Sequence, residues 1–249
     1  MISPAVQGFI HVLEGLRLVH RPGIRRFVVI PLLINIALFG GVLYWGWGEL
    51  DRLTAWIEGG LPAWLQWLEL FLRPLFVLTA LVVVFYLFTP VANLLGAPFN
   101  ALLAERVERE LVGEAPTGPQ VGLRSLLREA LRALWGELRK LVYLVLWTIP
   151  LLALFLIPGL NLAAPVLWVL FGAWMLAIEY MDYPMGNHGM GFAQERALLR
   201  RNRPLALGFG AGLVLLTMIP VVNFLAMPAG VAGATSLWVK RLRREPQRQ

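Results

Sequence analysis

The sequence predicts an all-α integral membrane protein, and three observations carry that prediction. Over 249 residues the composition is 58% hydrophobic and 15% charged, where an ordinary soluble domain carries about 25% charged residues. Four stretches, 27–48, 74–104, 141–178 and 205–239, contain no charged side chain. The 22 Lys and Arg residues are spread unevenly between those stretches. A soluble domain has too little interior to hide this apolar excess, so part of it must face lipid. The net charge of +7 and a pI near 10.5 would suggest nucleic acid on a soluble protein. Here the basic residues border apolar runs, so membrane topology explains them and no nucleic-acid partner is expected. The absence of cysteine excludes disulfides and thiolate metal sites.

Residues 1–26 read as an amphipathic helix over 3–20, lying on the membrane surface, followed by a basic turn. No small-residue cleavage pattern follows closely on the first apolar run, so the N-terminus is read as uncleaved. Residues 27–48 number 22, about 33 Å of helix and enough to cross a bilayer. Pro31 falls in its first turns, where proline is tolerated best. Residues 49–73 form an outer segment, and 74–104 a second span. Trp45, Trp47, Trp56, Trp64 and Trp67 gather about the outer segment as an aromatic belt does. Residues 105–140 place leucines and valines at helical spacing among Arg and Glu, predicting two amphipathic cytoplasmic helices split at 113–122 by Pro116 and Pro119.

The last two apolar stretches are each about twice the length of one span. Both break near the middle on similar words, Ile157-Pro158-Gly159-Leu160-Asn161 and Ile219-Pro220-Val221-Val222-Asn223, with Pro165 and Pro228 following. They predict two helical hairpins of like construction, 141–178 and 205–239. Arms of some 15–18 residues, about 23–27 Å, would make each hairpin short-spanning or partly inserted. A basic loop or helix at 179–204 joins them, and a basic tail at 240–249 closes the chain. Of the 22 basic residues only Arg52 and Arg73 lie in 49–73, beside Glu49, Asp51, Glu58 and Glu69. The positive-inside rule therefore puts 49–73 outside and the other four polar segments in the cytoplasm. That works only if each hairpin returns to its starting side, as the Pro/Asn breaks independently suggest.

The most informative short motif is Arg21-Pro22-Gly23-Ile24-Arg25-Arg26, just before the first span. Proline ends one helix and opens the next. Gly23 leaves the backbone uncrowded, so the amides of Gly23 and Ile24 can point at a ligand. Unsatisfied amides at a helix start favour an oxyanion, and Arg25 and Arg26 can add forked, charge-assisted hydrogen bonds. The same arginines also suit positive-inside flanks that touch lipid phosphates, and from the residues alone both readings stand.

Gly15-Leu16-Arg17, Arg21 to Phe27 and Pro31-Leu32-Leu33-Ile34-Asn35 together resemble the opening of CysZ-type sulfate permeases, part of a broader membrane family named for an etoposide-induced protein. Ala97-Pro98-Phe99-Asn100 with Glu105-Arg106-Val107-Glu108, then Asp182 to Gly189, then Pro220 to Phe224, continue the resemblance in order along nearly the whole chain. It implies a multi-pass protein of the bacterial inner membrane that takes up sulfate for cysteine synthesis. It implies two long spanning helices with two partly inserted hairpins, and a homo-oligomer, a dimer or higher. It also implies sulfate binding at Gly23, Ile24, Arg25 and Arg26; this chain has Ile24 where the family pattern has Leu.

Polar residues in or beside the spans are the next candidates. Asn35, Asn93, Asn100, Glu105, Arg106, Arg109, Asn161 and Asn223 form a pore or gate list. An amide can lend donors to a passing anion, and ion pairs can open as gates. The plainer reading is helix–helix hydrogen bonding for the asparagines and surface pairing for the charges. Gly208 to Gly212 reads as close helix packing. Asp182, His188 and Glu195 lack metal-ligand spacing, so structural hydrogen bonds are expected there and no metal. No nucleotide-binding fingerprint or nucleophile–base spacing occurs, so neither a cofactor nor an enzyme activity is expected. Moving a dianion into a negative-inside cell costs about 4.6 kcal/mol per 100 mV. No Asp, Glu or His stands mid-span as a proton relay, which predicts channel-like or weakly coupled transport. The alternatives are a non-transporting scaffold that binds membrane lipid, or transport of another oxyanion such as thiosulfate.

Overall fold

The computed structural model describes residues 2–60, 69–113 and 123–243, and among these all regular structure is helical. The elements are α1 (Pro4–Leu18), α2 (Arg26–Gly60), α3 (Glu69–Val112), α4 (Leu123–Leu156), α5 (Ala164–Asn187), α6 (Phe192–Arg201), α7 (Arg203–Thr217), α8 (Pro220–Asn223) and α9 (Ala226–Leu237), with a π-helical turn at Trp238–Leu242. Three helical stretches are long and apolar enough to cross a membrane: Arg26–Glu49, Trp135–Leu156 and Ala164–Asn187. The chain divides into two compact units, 1–25 with 100–249, and 26–99.

The second unit holds α2 and the N-terminal part of α3. None of the apolar window of Arg26–Glu49 is buried, and Leu33, Ile36 and Trp45 stand exposed, as lipid-facing residues do. The helix does not stop at residue 48 but runs to Gly60. The 49–73 segment is thus helical at least to its middle, because Leu50, Leu53, Ala55 and Trp56 keep good helix formers in step. Trp45, Trp47 and Trp56 are exposed; Trp64 and Trp67 lie outside the described residues.

In the first unit, α1 packs on α7 and α9, and α5 packs on α7 and α9. Ser3 caps α1, its hydroxyl accepting from the Val6 amide at 3.4 Å. The helix does not simply lie flat on a surface, because one face sinks into its neighbours. Gly8 and Gly15, two turns apart, share that face with His11, Val12 and Leu18. A Cβ on Gly8 would fall 2.0 Å from the Leu205 carbonyl oxygen, and one on Gly208 1.9 Å from the Ala5 oxygen. One on Gly15 would fall 2.0 Å from the Ala229 oxygen, and one on Gly233 2.6 Å from the His11 oxygen. Backbone therefore meets backbone along both seams. Gly210 brings α7 equally close to Ala173 of α5, which is the close packing the Gly208–Gly212 spacing predicts.

Both hairpins break where the prolines fall. Gly159 takes φ +86°, a left-handed value suited to glycine, and the Ile157 carbonyl accepts from Leu160 and Asn161. In the second hairpin Ile219 is extended, as the residue before a proline tends to be. Within 141–178 the arms run over 141–156 and 164–178, 16 and 15 residues as expected, while the apolar helices extend outside those bounds, over Trp135–Leu156 and Ala164–Asn187. Each helix continues past its charge-free stretch, and there Lys140 of α4 pairs with Glu179 at 3.6 Å and with Asp182 of α5. In the second hairpin α7 and α9 have 15 and 12 residues, and α9 runs on without a break into the π-helical turn. The basic 105–140 segment splits as expected: α3 ends at Val112 with Gly113 at φ +82°, and α4 begins at Leu123. Pro116 and Pro119 lie outside the described residues.

The glycine seams yield a test. Alanine ordinarily stabilises a helix interior relative to glycine by roughly 1 kcal/mol. Gly15→Ala is nonetheless expected to lower stability by about 1–3 kcal/mol through overpacking. Gly41→Ala, with nothing within 4 Å of its Cβ position, should leave stability unchanged or raise it. Thermal unfolding in detergent compares them, and equal melting temperatures would remove the seam from the account of the fold.

Candidate anion site

The turn that follows α1 is tightly closed. The Arg21 carbonyl accepts from the Ile24 amide at 3.1 Å and from the Arg25 amide at 3.2 Å. Gly23 sits at φ +90°, and its amide donates to no backbone carbonyl among the described residues. Ile24 is fully buried. Its amide is therefore committed to the turn, contrary to the expectation that it is a free donor, because closing the turn uses that N–H. Ile24 contributes as an apolar anchor instead. Arg25 is exposed and belongs to the same unit as the turn. Arg26 is the next residue in the chain, opens α2, and holds its guanidinium 5.0 Å from the centre of the Phe27 ring.

Arg106, on the C-terminal part of α3, adds what the sequence did not place. Its Nη2 lies 3.1 Å from where a Gly23 Cβ would be, so a side chain at 23 would press on the guanidinium. Its Nε is buried without a hydrogen-bond partner. Glu110, one turn on, stands 3.9 Å from Arg106 and 4.0 Å from Arg21, at the outer limit of an ion pair. Arg21 and Arg106 thus bring guanidinium groups, with Glu110 between them at the limit of pairing, to a turn with one spare amide, and Arg25 is part of that turn. That arrangement suits an anion with several acceptor oxygens.

The other pore candidates are scattered. Glu105 and Arg109 pair with each other at 2.7 Å. Asn100 is buried, its Nδ2 3.5 Å from the Tyr183 hydroxyl. Asn161 and Asn223 are exposed at the two hairpin breaks, where their amides donate to Ile157 and Ile219. Asn35, in the other unit, is half-buried with its Oδ1 unpartnered. The side chain of Asn93 lies outside the described residues. Within the unit that carries the turn, Arg106 is the candidate whose contact with it is seen.

Two charged clusters elsewhere bring together residues distant in the sequence, and one buried acid stands alone. Glu108, 1% exposed, accepts from Arg243 at 2.9 Å and faces His188 Nε2 at 2.9 Å. The His188 ring stands 5.4 Å from Trp238. Lys140 joins Glu137, Glu179 and Asp182 across α4 and α5. Asp182 and His188 therefore make the structural bonds expected of them. Glu195 does not: it is 1% exposed and neither carboxylate oxygen has a partner.

Burial pushes the Glu195 carboxyl well above its ordinary value, Asp182 adds to the rise and Lys140 opposes it. A carboxyl raised in the folded state binds its proton more tightly folded than unfolded. Its stabilising contribution is present below the ordinary carboxylate range and is lost as pH rises through the elevated value. The melting temperature of the purified protein is accordingly expected to fall on alkalinisation, and Glu195→Gln, which keeps the neutral shape, should flatten that fall. An unchanged pH profile in the variant counts against a protonated Glu195.

Comparison with known proteins bears on the whole chain. The family profile described as sulfate transporter CysZ/etoposide-induced protein 2.4 matches residues 11–228. The protein named sulfate transporter CysZ from Pectobacterium atrosepticum is 47% identical over 230 residues, covering 92% of this chain and 83% of that one. The match takes in the Gly23 turn, Arg106 and both hairpin breaks. The chain belongs to the sulfate transporter CysZ/etoposide-induced protein 2.4 family.

Proposed function

We propose that this protein is a sulfate permease of the bacterial inner membrane that feeds assimilation into cysteine, and that it receives the anion at Gly23, Arg25 and Arg26 with Arg106 as a further donor. Membership of the family and the relative's name support the substrate. The contact of the Arg106 guanidinium with the positive-φ Gly23 is the observation that carries the site. Sulfate is a tetrahedral dianion, so it takes several donors at once. Guanidinium groups and a spare amide offer fixed donors that replace water as the ion sheds it. Ile24 holds the turn by burial and by its amide bond to the Arg21 carbonyl, and so lends no donor to the anion. Subunits are expected to assemble as homo-oligomers.

Loss of a hydrogen bond to a charged partner costs about 1.5–3 kcal/mol, or roughly 10- to 100-fold in affinity. Arg106→Gln and the double variant Arg25→Ala/Arg26→Ala are each expected to weaken sulfate binding by that order in calorimetry of purified protein. Gly23→Ala should do likewise, through a strained φ and pressure on Arg106. Wild-type affinity in all three would remove the site and leave the family intact. Competition by thiosulfate, sulfite and phosphate reads the selectivity.

Passage is channel-like or weakly coupled. Sulfate flux into proteoliposomes is expected to follow the sulfate gradient and to be unmoved by an imposed pH gradient. Uphill accumulation driven by protons would reverse that assignment.

A further inference from the structure

A groove of about 840 Å³ opens between the N-terminal half of α1 and the π-helical turn. One wall is apolar, formed by Ile2, Pro4 and Ile10; the other carries Glu14, Lys240 and Arg241. The apolar wall continues out of the groove. Ile2, Val6, Ile10 and Leu13 are 58%, 50%, 42% and 44% exposed, and their spacing of four, four and three places them in one stripe along α1. That stripe lies away from the face that Gly8 and Gly15 press onto α7 and α9. The charged wall is net positive. Lys240 bonds to Glu14, and burial, which would raise the Glu14 carboxyl, is outweighed by hydrogen bonds from Lys240 and Ser236. His11 adds no charge: burial, Lys240 and Arg241 lower its value against the opposing pull of Glu14. Arg241 is left exposed, with no ion-pair partner among the described residues.

We propose that this groove holds one anionic phospholipid of the cytoplasmic leaflet, with its phosphate on Arg241 and an acyl chain along Ile2 and Ile10. A free inorganic anion would use the cation and leave the apolar wall uncovered. A zwitterionic lipid would cover the wall and gain nothing net from the cation. The basic turn, the 105–140 segment and the tail, read as cytoplasmic by their charge, put this groove on the side where anionic lipids attract such clusters. The inference is independent of where sulfate binds.

The test is native mass spectrometry of the full chain in detergent, titrated with phosphatidylglycerol or phosphatidylcholine. Wild-type protein is expected to retain phosphatidylglycerol in preference. Arg241→Gln should weaken that retention about fivefold, the effect of one basic residue at an anionic surface, and Arg241→Lys should keep it. Arg200→Gln removes an exposed charge on α6 and should change nothing. Equal retention of the two lipids, full retention by Arg241→Gln, or an equal loss in Arg200→Gln would each overturn the proposal. So would displacement of the lipid by millimolar sulfate or glycerol 3-phosphate, since that would make the groove a site for soluble anions.

Discussion

The contact on which the first unit depends is the meeting of bare backbone between α1 and the pair α7 and α9. Gly8 with Gly208 and Gly15 with Gly233 leave no room for even a methyl group. In lipid the hydrophobic effect gives little help in holding apolar helices together, so close packing of this kind must do it. The seam also fixes where α1 ends. His20 and Arg21 follow Leu18 within a few residues, and the turn at Gly23 is closed on the Arg21 carbonyl. A helix free to slide would carry the turn with it, and Gly23 would lose its place beside Arg106. The proposed anion site is thus held by residues that are not themselves part of it.

Charge is handled differently in each part of the unit. Glu108 is almost wholly buried but accepts from Arg243 and faces His188, so its burial is compensated. Lys140 is ringed by three carboxylates, more negative charge than one ammonium can neutralise. Glu195 stands near that ring with no partner, and a buried acid without one stays protonated rather than ionise. The arginines of the turn and of α3 are looser, with Glu110 at the limit of pairing distance from two of them. Guanidinium groups already locked to carboxylates could not also receive an anion. The structural clusters are tight and the candidate site is slack.

The helical membrane class, the hairpin breaks and the split at 113–122 were legible in the sequence because they are local. Proline and glycine act on their own neighbours, and a run without charge states its own preference for lipid. The basic turn was legible for the same reason, as six consecutive residues. What escaped depends on contacts between residues far apart in the chain. Nothing near Gly23 names Arg106, 83 positions on, and nothing near Glu108 names Arg243. The helices of the first hairpin run on past its charge-free stretch, where Lys140 of α4 meets Glu179 and Asp182 of α5, a pairing that spacing alone does not show. The amide of Ile24 was misassigned because donor accounting needs the turn's own hydrogen bonds, which spacing alone does not show.

The shortness of α7 and α9 has a consequence for the surrounding solvent. At 15 and 12 residues they measure about 22 and 18 Å, while a hydrocarbon slab is about 30 Å thick. Elements this stubby either stop partway or draw the two leaflets together beside them, a mismatch that bilayers accommodate at modest energy. In the second case the oily layer next to the protein would be locally thinner. An ion's self-energy in a low-dielectric layer falls as water approaches from either side. Where such short helices span, that thinning would lower the barrier met by a doubly charged solute.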